Sequence, residues 1–197
     1  SPTEQRWFVM NVAPVHTEKF KNVQEIALEK SKILNSLSEN DIAVLNYDDE
    51  LVRQMEKNVR GKVFWIGKDR KLDLCWNNEK LSADGLSIDL YWKGEKYQAN
   101  LGIIAPQLLV SLLSAVAVCV YLGEDIETLI KRLEKFQSQA GRMNPIKGLE
   151  GSLIIDDSYN ANPSSVIAAL GVLASLKGRK IAVLGSMNEL GSYEKEG

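Results

Sequence analysis

Ile154-Ile155-Asp156-Asp157-Ser158-Tyr159-Asn160-Ala161-Asn162-Pro163 is the stretch on which the reading of the fold turns. Its apolar run predicts a buried strand, with two carboxylates at the strand's C-terminal end. A turn of small amides follows. Asn162-Pro163 then opens a helix as N-cap and first helical residue, since Asn accepts from orphan amides and Pro lacks the amide that would go unpaired. In a parallel α/β sheet, strand C-termini and helix N-termini converge at one edge, where ligands bind. A solvated turn explains Asp-Asp-Ser equally simply.

Outward from this stretch, a helix is expected over residues 163–176 and a strand over 180–184, which with the strand at 152–155 makes a β-α-β unit. Upstream, residues 137–151 are polar and contain glycine, and a domain boundary is placed at 143/144 within them. Two helices precede it, at 106–121 and 125–136. Before them, residues 72–99 alternate polar and apolar, with turns at Ala83-Asp84-Gly85 and Lys93-Gly94-Glu95, as in an antiparallel meander. The first part alternates strands (7–13, 42–45, 63–66) with helices (22–37, 50–57). Asn22 and Glu25 form a capping-box-like pair, and Val23, Ile26, Ala27, Leu34 and Leu37 share one helix face. The fold class is α/β. The second unit is short for an independent domain, so the chain is read as a piece of a longer enzyme; a chain naturally of this length is the alternative.

Composition narrows the function classes. A hydrophobic content of 45%, a charged content of 25% and a net charge of −2 over 197 residues fit an ordinary soluble chain. No basic stripe with interleaved aromatics marks a nucleic-acid surface. Cys75 and Cys119 sit in apolar surroundings without metal-ligand spacing and are expected to be reduced core residues of a cytoplasmic protein. No signal peptide is visible. Residues 101–122 approach the length of a membrane span, roughly 20 residues, but Pro106, Gln107, Ser111 and Ser114 interrupt them. A helix buried in an α/β domain fits better.

The string Asp156 to Pro163 resembles the signature of the Mur ligases, in particular the branch that uses D-Ala-D-Ala. Other segments carry the same resemblance. Asn11-Val12-Ala13-Pro14-Val15-His16-Thr17-Glu18-Lys19-Phe20 is similar to the family's central-domain segment, in which a histidine serves the magnesium site. Imidazole is a less typical magnesium ligand than oxygen, which points to action through water; a structural role is the alternative for a lone histidine. Lys30 shares a helical stripe with apolar residues, where its stem can snorkel. In the family the lysine at this place is carbamylated, becoming an anionic oxygen ligand for magnesium. Here Lys30-Ser31-Lys32 replaces the usual Lys-Gly-Glu. Gly141-Arg142-Met143 resembles the family's Gly-Arg hinge, whose arginine reaches the nucleotide; a solvated linker arginine is the other reading. Asp157 matches the acid that contacts the ribose. Asn160 and Asn162 match amides on the acceptor-substrate side, and Asn162 is equally explained as a cap. Gly185-Ser186-Met187-Asn188-Glu189-Leu190-Gly191 closes the resemblance, with Ser186 in place of an aspartate. Asn46-Tyr47-Asp48-Asp49 looks like the family's Asn-x-Asp-Asp, but Asp48 or Asp49 as a helix N-cap suffices.

Two regions depart from the family. The adenine-reading segment has Pro106-Gln107-Leu108-Leu109-Val110-Ser111, where Gln107 is the candidate substitute. Neither Gly61-Lys62 nor Gly67-Lys68 has the lead-in or the Ser/Thr of a phosphate loop, and in the family that loop lies before the region matched here. The resemblance therefore implies the later part of a central ATPase domain, a mixed sheet with helices (1–143), followed by the start of a Rossmann-like C-terminal domain (144–197). It further implies an ADP-forming amide ligase of peptidoglycan synthesis that uses ATP and Mg2+. Its substrates would be a UDP-MurNAc-peptide and D-Ala-D-Ala. No membrane insertion is expected, and the missing N-terminal part of the enzyme would be required for turnover. A folylpolyglutamate-synthase-like ligase and a non-catalytic nucleotide-binding or interaction module are the alternatives.

Overall fold

The computed structural model describes residues 7–10 and 22–187, the first of these by backbone alone. A six-stranded sheet runs in chain order: β1 (Trp7–Met10), β2 (Ile42–Asn46), β3 (Lys62–Gly67), β4 (Leu74–Ser82), β5 (Gly85–Trp92) and β6 (Glu95–Leu101). β1 to β4 are parallel, and β4 to β6 form the expected antiparallel meander. β2 is buried along its whole length, as a strand covered on both faces must be.

Alternation along β2 divides the core. Ala43 and Leu45 face α1 (Val23–Ser31) and α2 (Glu50–Arg53), in a cluster with Ala27, Leu34, Leu37, Val52 and Met55. Ile42 and Val44 face α3 (Leu109–Tyr121) and α4 (Ile126–Leu133). On α3 the residues Leu109, Leu113, Val116, Ala117 and Val120 are buried at helical spacing. This is the apolar helix anticipated from residues 101–122. Among the described residues no helix is long and apolar enough to cross a membrane. Cys75 is buried, and desolvation raises its thiol pKa above the ordinary value. Cys119 is only half-buried, packed at the margin of the same cluster.

The first two predicted helices are each shorter as α-helix and continue as 3-10 turns, over Lys32–Ser36 and Gln54–Asn58. Their caps follow the sequence. Asn22 Oδ1 accepts from the Glu25 amide at 2.9 Å, and Asp49 Oδ1 accepts from Leu51 and Val52. Asp48 ties two strand ends together by accepting from the Lys68 amide at 3.1 Å.

The second unit corrects the reading in three ways. The polar segment 137–151 contains a strand, β7 (Asn144–Lys147), which pairs antiparallel with β8 (Leu153–Asp156). The parallel strand expected at 180–184 is not formed; Ile181, Val183 and Leu184 are 66%, 92% and 63% exposed. A strand exists only through a ladder, and no described strand lies beside these residues. For the same reason β8 is not the buried strand its composition implies: Ile154 is 51% exposed, while Ile155 packs beneath α5 (Pro163–Ser175).

Candidate functional site: the 141–143 linker and the paired acids

The two carboxylates that end β8 hold the backbone linking the two units. Asp156 Oδ2 accepts from the Gly141 amide at 2.9 Å, and Asp157 Oδ1 accepts from the Met143 amide at 3.0 Å. A third bond runs from the Tyr159 amide to the Gly141 carbonyl, at 3.0 Å. Between these anchors the Arg142 guanidinium lies 3.9 Å from the centre of the Tyr159 ring, in cation–π geometry.

The linker backbone is shaped for this contact. Gly141 has φ +74°, and a Cβ there would fall 3.0 Å from the Tyr159 nitrogen. Only glycine meets both conditions without strain. Met143 also has positive φ, 49°, and its side chain is 3% exposed in a cluster with Ala105 and Val172. Leu108, Ile155 and Ala169 pack against that cluster. The linker is therefore pinned by hydrogen bonds on one side and by Met143 on the other.

The Asp156 carboxyl is held below the usual carboxylate range, first by the Ser158 hydroxyl at 2.6 Å, then by the Gly141 and Ser158 amides. Asn162 caps α5 with a complete capping box. Its Oδ1 accepts from the Ser165 amide, and its own amide donates to Ser165 Oγ. The exposed Asn160 has Oδ1 on the Ala161 amide.

Of the residues singled out in the sequence, Arg142 and Asp157 meet at this linker, while Asn160 and Asn162 bond within the turn and helix start that follow Tyr159. Gln107 is exposed in the 3-10 turn Pro106–Leu108, whose flanking Ala105 and Leu108 pack on Met143. Lys30 is half-buried on α1. His16 and the segment 188–191 lie outside the described residues. Among the described residues no group of three or more His, Cys, Asp or Glu side chains is arranged to hold a metal. Neither Gly-Lys pair serves as a phosphate cradle. Gly61 is needed because a Cβ there would meet the Asp41 carbonyl at 2.1 Å, and the Lys68 ammonium pairs with Glu79 at 2.9 Å. Three participants escaped the sequence reading: Asp156 as a linker clamp, Met143 as its apolar pin and Tyr159 as the arginine's platform. No sequence signal marked them, because the positive φ at Gly141 and Met143 that brings them together exists only in the folded chain.

A concavity of about 360 Å³ lies elsewhere, on the outer face of the meander beside Lys80, Ser87, Asp89 and Gln98. Asp89 there is already satisfied by Lys96 at 2.8 Å and Asn78 at 2.6 Å. That closed polar network makes the linker, rather than this face, the candidate site.

The chain is thus α/β, with paired strand-end acids bonded to the backbone on either side of Arg142. The Mur ligase middle domain matches residues 8–119 and the Mur ligase glutamate ligase domain matches residues 141–197, so the chain belongs to the Mur ligase family. It is 28% identical over 186 residues to the UDP-N-acetylmuramoyl-tripeptide–D-alanyl-D-alanine ligase of Escherichia coli, covering 93% of this chain and 41% of that enzyme. Among solved structures, MurF from Acinetobacter baumannii superposes with a TM-score of 0.86 at 25% identity, over 96% of this chain and 42% of that one. The MurF ligase from Thermotoga maritima in complex with ADP gives 0.84 at 27% identity, over 96% and 44%. The chain thus spans less than half the length of the relatives it matches.

Proposed function

We propose that residues 1–197 belong to a cytoplasmic, ATP-dependent, ADP-forming amide ligase that joins D-Ala-D-Ala to a UDP-MurNAc-peptide through an acyl phosphate. Residues 1–143 are the later part of its ATP-binding domain, and 144–197 begin its acceptor domain. The observation that carries this reading is the bond from the Met143 amide to Asp157, which sets that carboxylate on the linker next to Arg142. Asp157 uses Oδ1 on the Met143 amide, and its Oδ2 is suited to accept from a ribose hydroxyl. The Arg142 guanidinium, permanently charged and planar, is suited to a phosphate. Their shared anchorage means that nucleotide and linker conformation are read together. ATP, when bound, supplies the phosphoryl group that activates the carboxylate.

Asn160 and Asn162 stand on the acceptor side of the same turn. Because Asn162 Oδ1 is committed to its helix cap, only its amide nitrogen is left to meet a substrate carbonyl or carboxylate. Gln107, in the turn beside Met143, is assigned to the adenine. Magnesium is assigned to His16 and carbamylated Lys30 on the strength of the family resemblance.

ADP release measured with UDP-MurNAc-tripeptide and a panel of amines tests the reading. A polypeptide of the relatives' length carrying residues 1–197 is expected to form ADP with D-Ala-D-Ala and not with glutamate. Preference for glutamate would move it to the folylpolyglutamate branch. Robust turnover by residues 1–197 alone would show that the phosphate-binding part was misassigned.

A further inference from the structure

We infer that Tyr159 is a positioning residue for Arg142, holding the guanidinium at the linker in the orientation in which it meets the nucleotide. This rests on the nucleotide role proposed for Arg142 and adds the group that makes that role possible. Tyr159 is 69% exposed and belongs to none of the three apolar clusters, so core burial does not account for an aromatic side chain here. What fixes it is the linker itself. Its amide donates to the Gly141 carbonyl at 3.0 Å, and its backbone lies where a Cβ on Gly141 would be. The ring is thereby set one residue across from Arg142, and the guanidinium lies 3.9 Å from its centre.

An exposed arginine samples many rotamers, and ordering it on ligand binding costs side-chain entropy. A ring face that collects the guanidinium beforehand lowers that cost. A contact between the guanidinium and the ring face does not consume the N–H donors, which can still serve phosphate oxygens. Asp156 completes the device: it holds the Gly141 amide and, through Ser158, the turn that carries the ring.

The test compares Tyr159→Phe, Tyr159→Leu, Arg142→Ala and the double variant Tyr159→Leu/Arg142→Ala in a ligase polypeptide carrying residues 1–197. ADP affinity is measured by calorimetry, and KM for ATP and kcat by ADP release. Tyr159→Phe keeps the ring and should match the parent. Tyr159→Leu should weaken ADP binding about two- to fivefold, the worth of an exposed cation–π contact, and raise KM for ATP more than it lowers kcat. In the Arg142→Ala background the Tyr159→Leu effect should vanish. If Arg142→Ala itself leaves ADP affinity unchanged, the nucleotide role fails. If Arg142→Ala weakens binding but Tyr159→Leu does not, or the two effects simply add, the positioning role alone is overturned. A loss in Tyr159→Leu that Tyr159→Phe shares also overturns it, because the hydroxyl would then be the active group.

Discussion

The six-stranded unit and the strand–helix unit after the linker treat their apolar residues in opposite ways. Ile42, Leu45, Ile66, Leu90 and Leu113 are fully buried in the first. In the second, Ile154, Ile167 and Val183 are 51%, 69% and 92% exposed. Burying such a side chain contributes about 1.5–3 kcal/mol, a gain the second unit largely forgoes within the described residues. The site nevertheless belongs to both. Its geometry is held by the carboxylate–amide bonds and the Met143 cluster rather than by a core of the second unit. Leu90→Ala should therefore cost about 2–5 kcal/mol in urea unfolding, while Ile167→Ala should stay within about 0.5 kcal/mol. Equal losses would mean that the second unit carries a core of its own.

The linker itself sharpens the contrast, because there the strain is in the backbone. Gly141→Ala puts a side chain at φ +74° and 3.0 Å from the Tyr159 nitrogen. The left-handed conformation costs an L-residue about 1–2 kcal/mol, and the crowding adds to it. Faster hydrogen exchange at the Gly141 and Tyr159 amides is expected, with little change in the sheet. Unchanged exchange at both amides would show that the linker tolerates another path. Asn162→Ala removes the α5 cap and should cost about 1 kcal/mol, read as lost exchange protection in the first turn of α5 only. Protection lost in β2 or β3 as well would contradict the separation of the two units.

Legibility in the sequence followed the range of the forces. The meander, the strand at β2 and the caps at Asn22, Asp49 and Asn162 are set by alternation and by local side chain–backbone bonds, and all three caps form. The strand at 180–184 and the burial of β8 were misread because both depend on neighbours that a local pattern does not contain. β7 was missed because Asn144-Pro145-Ile146-Lys147 has no run of strand formers and gains its structure from β8. At the linker, the family resemblance singled out the positions of Arg142 and Asp157, which the structure places side by side through the bond from the Met143 amide to Asp157. Tyr159 and Asp156 were not singled out, since their roles arise from how Gly141 and Met143 fold the chain back.

The smallest expected effect concerns acid. Asp156 has its pKa lowered by the Ser158 hydroxyl and by the Gly141 and Ser158 amides, from an ordinary value of 3.8. A carboxyl whose folded-state pKa lies below its unfolded value binds fewer protons when folded. Its contribution is fully present above the unfolded pKa and is lost as pH falls through the folded one. The clamp should thus be constant from neutral pH down to about 4 and loosen below that. Exchange at the Gly141 amide, corrected for its intrinsic pH dependence, should accelerate in that acidic window in the parent. In Asp156→Asn, which keeps an acceptor oxygen but not the charge, the acceleration should be absent. If the substituted chain loosens at the same pH, the acid response belongs to another carboxylate, and Asp157 on the Met143 amide is the group to substitute next.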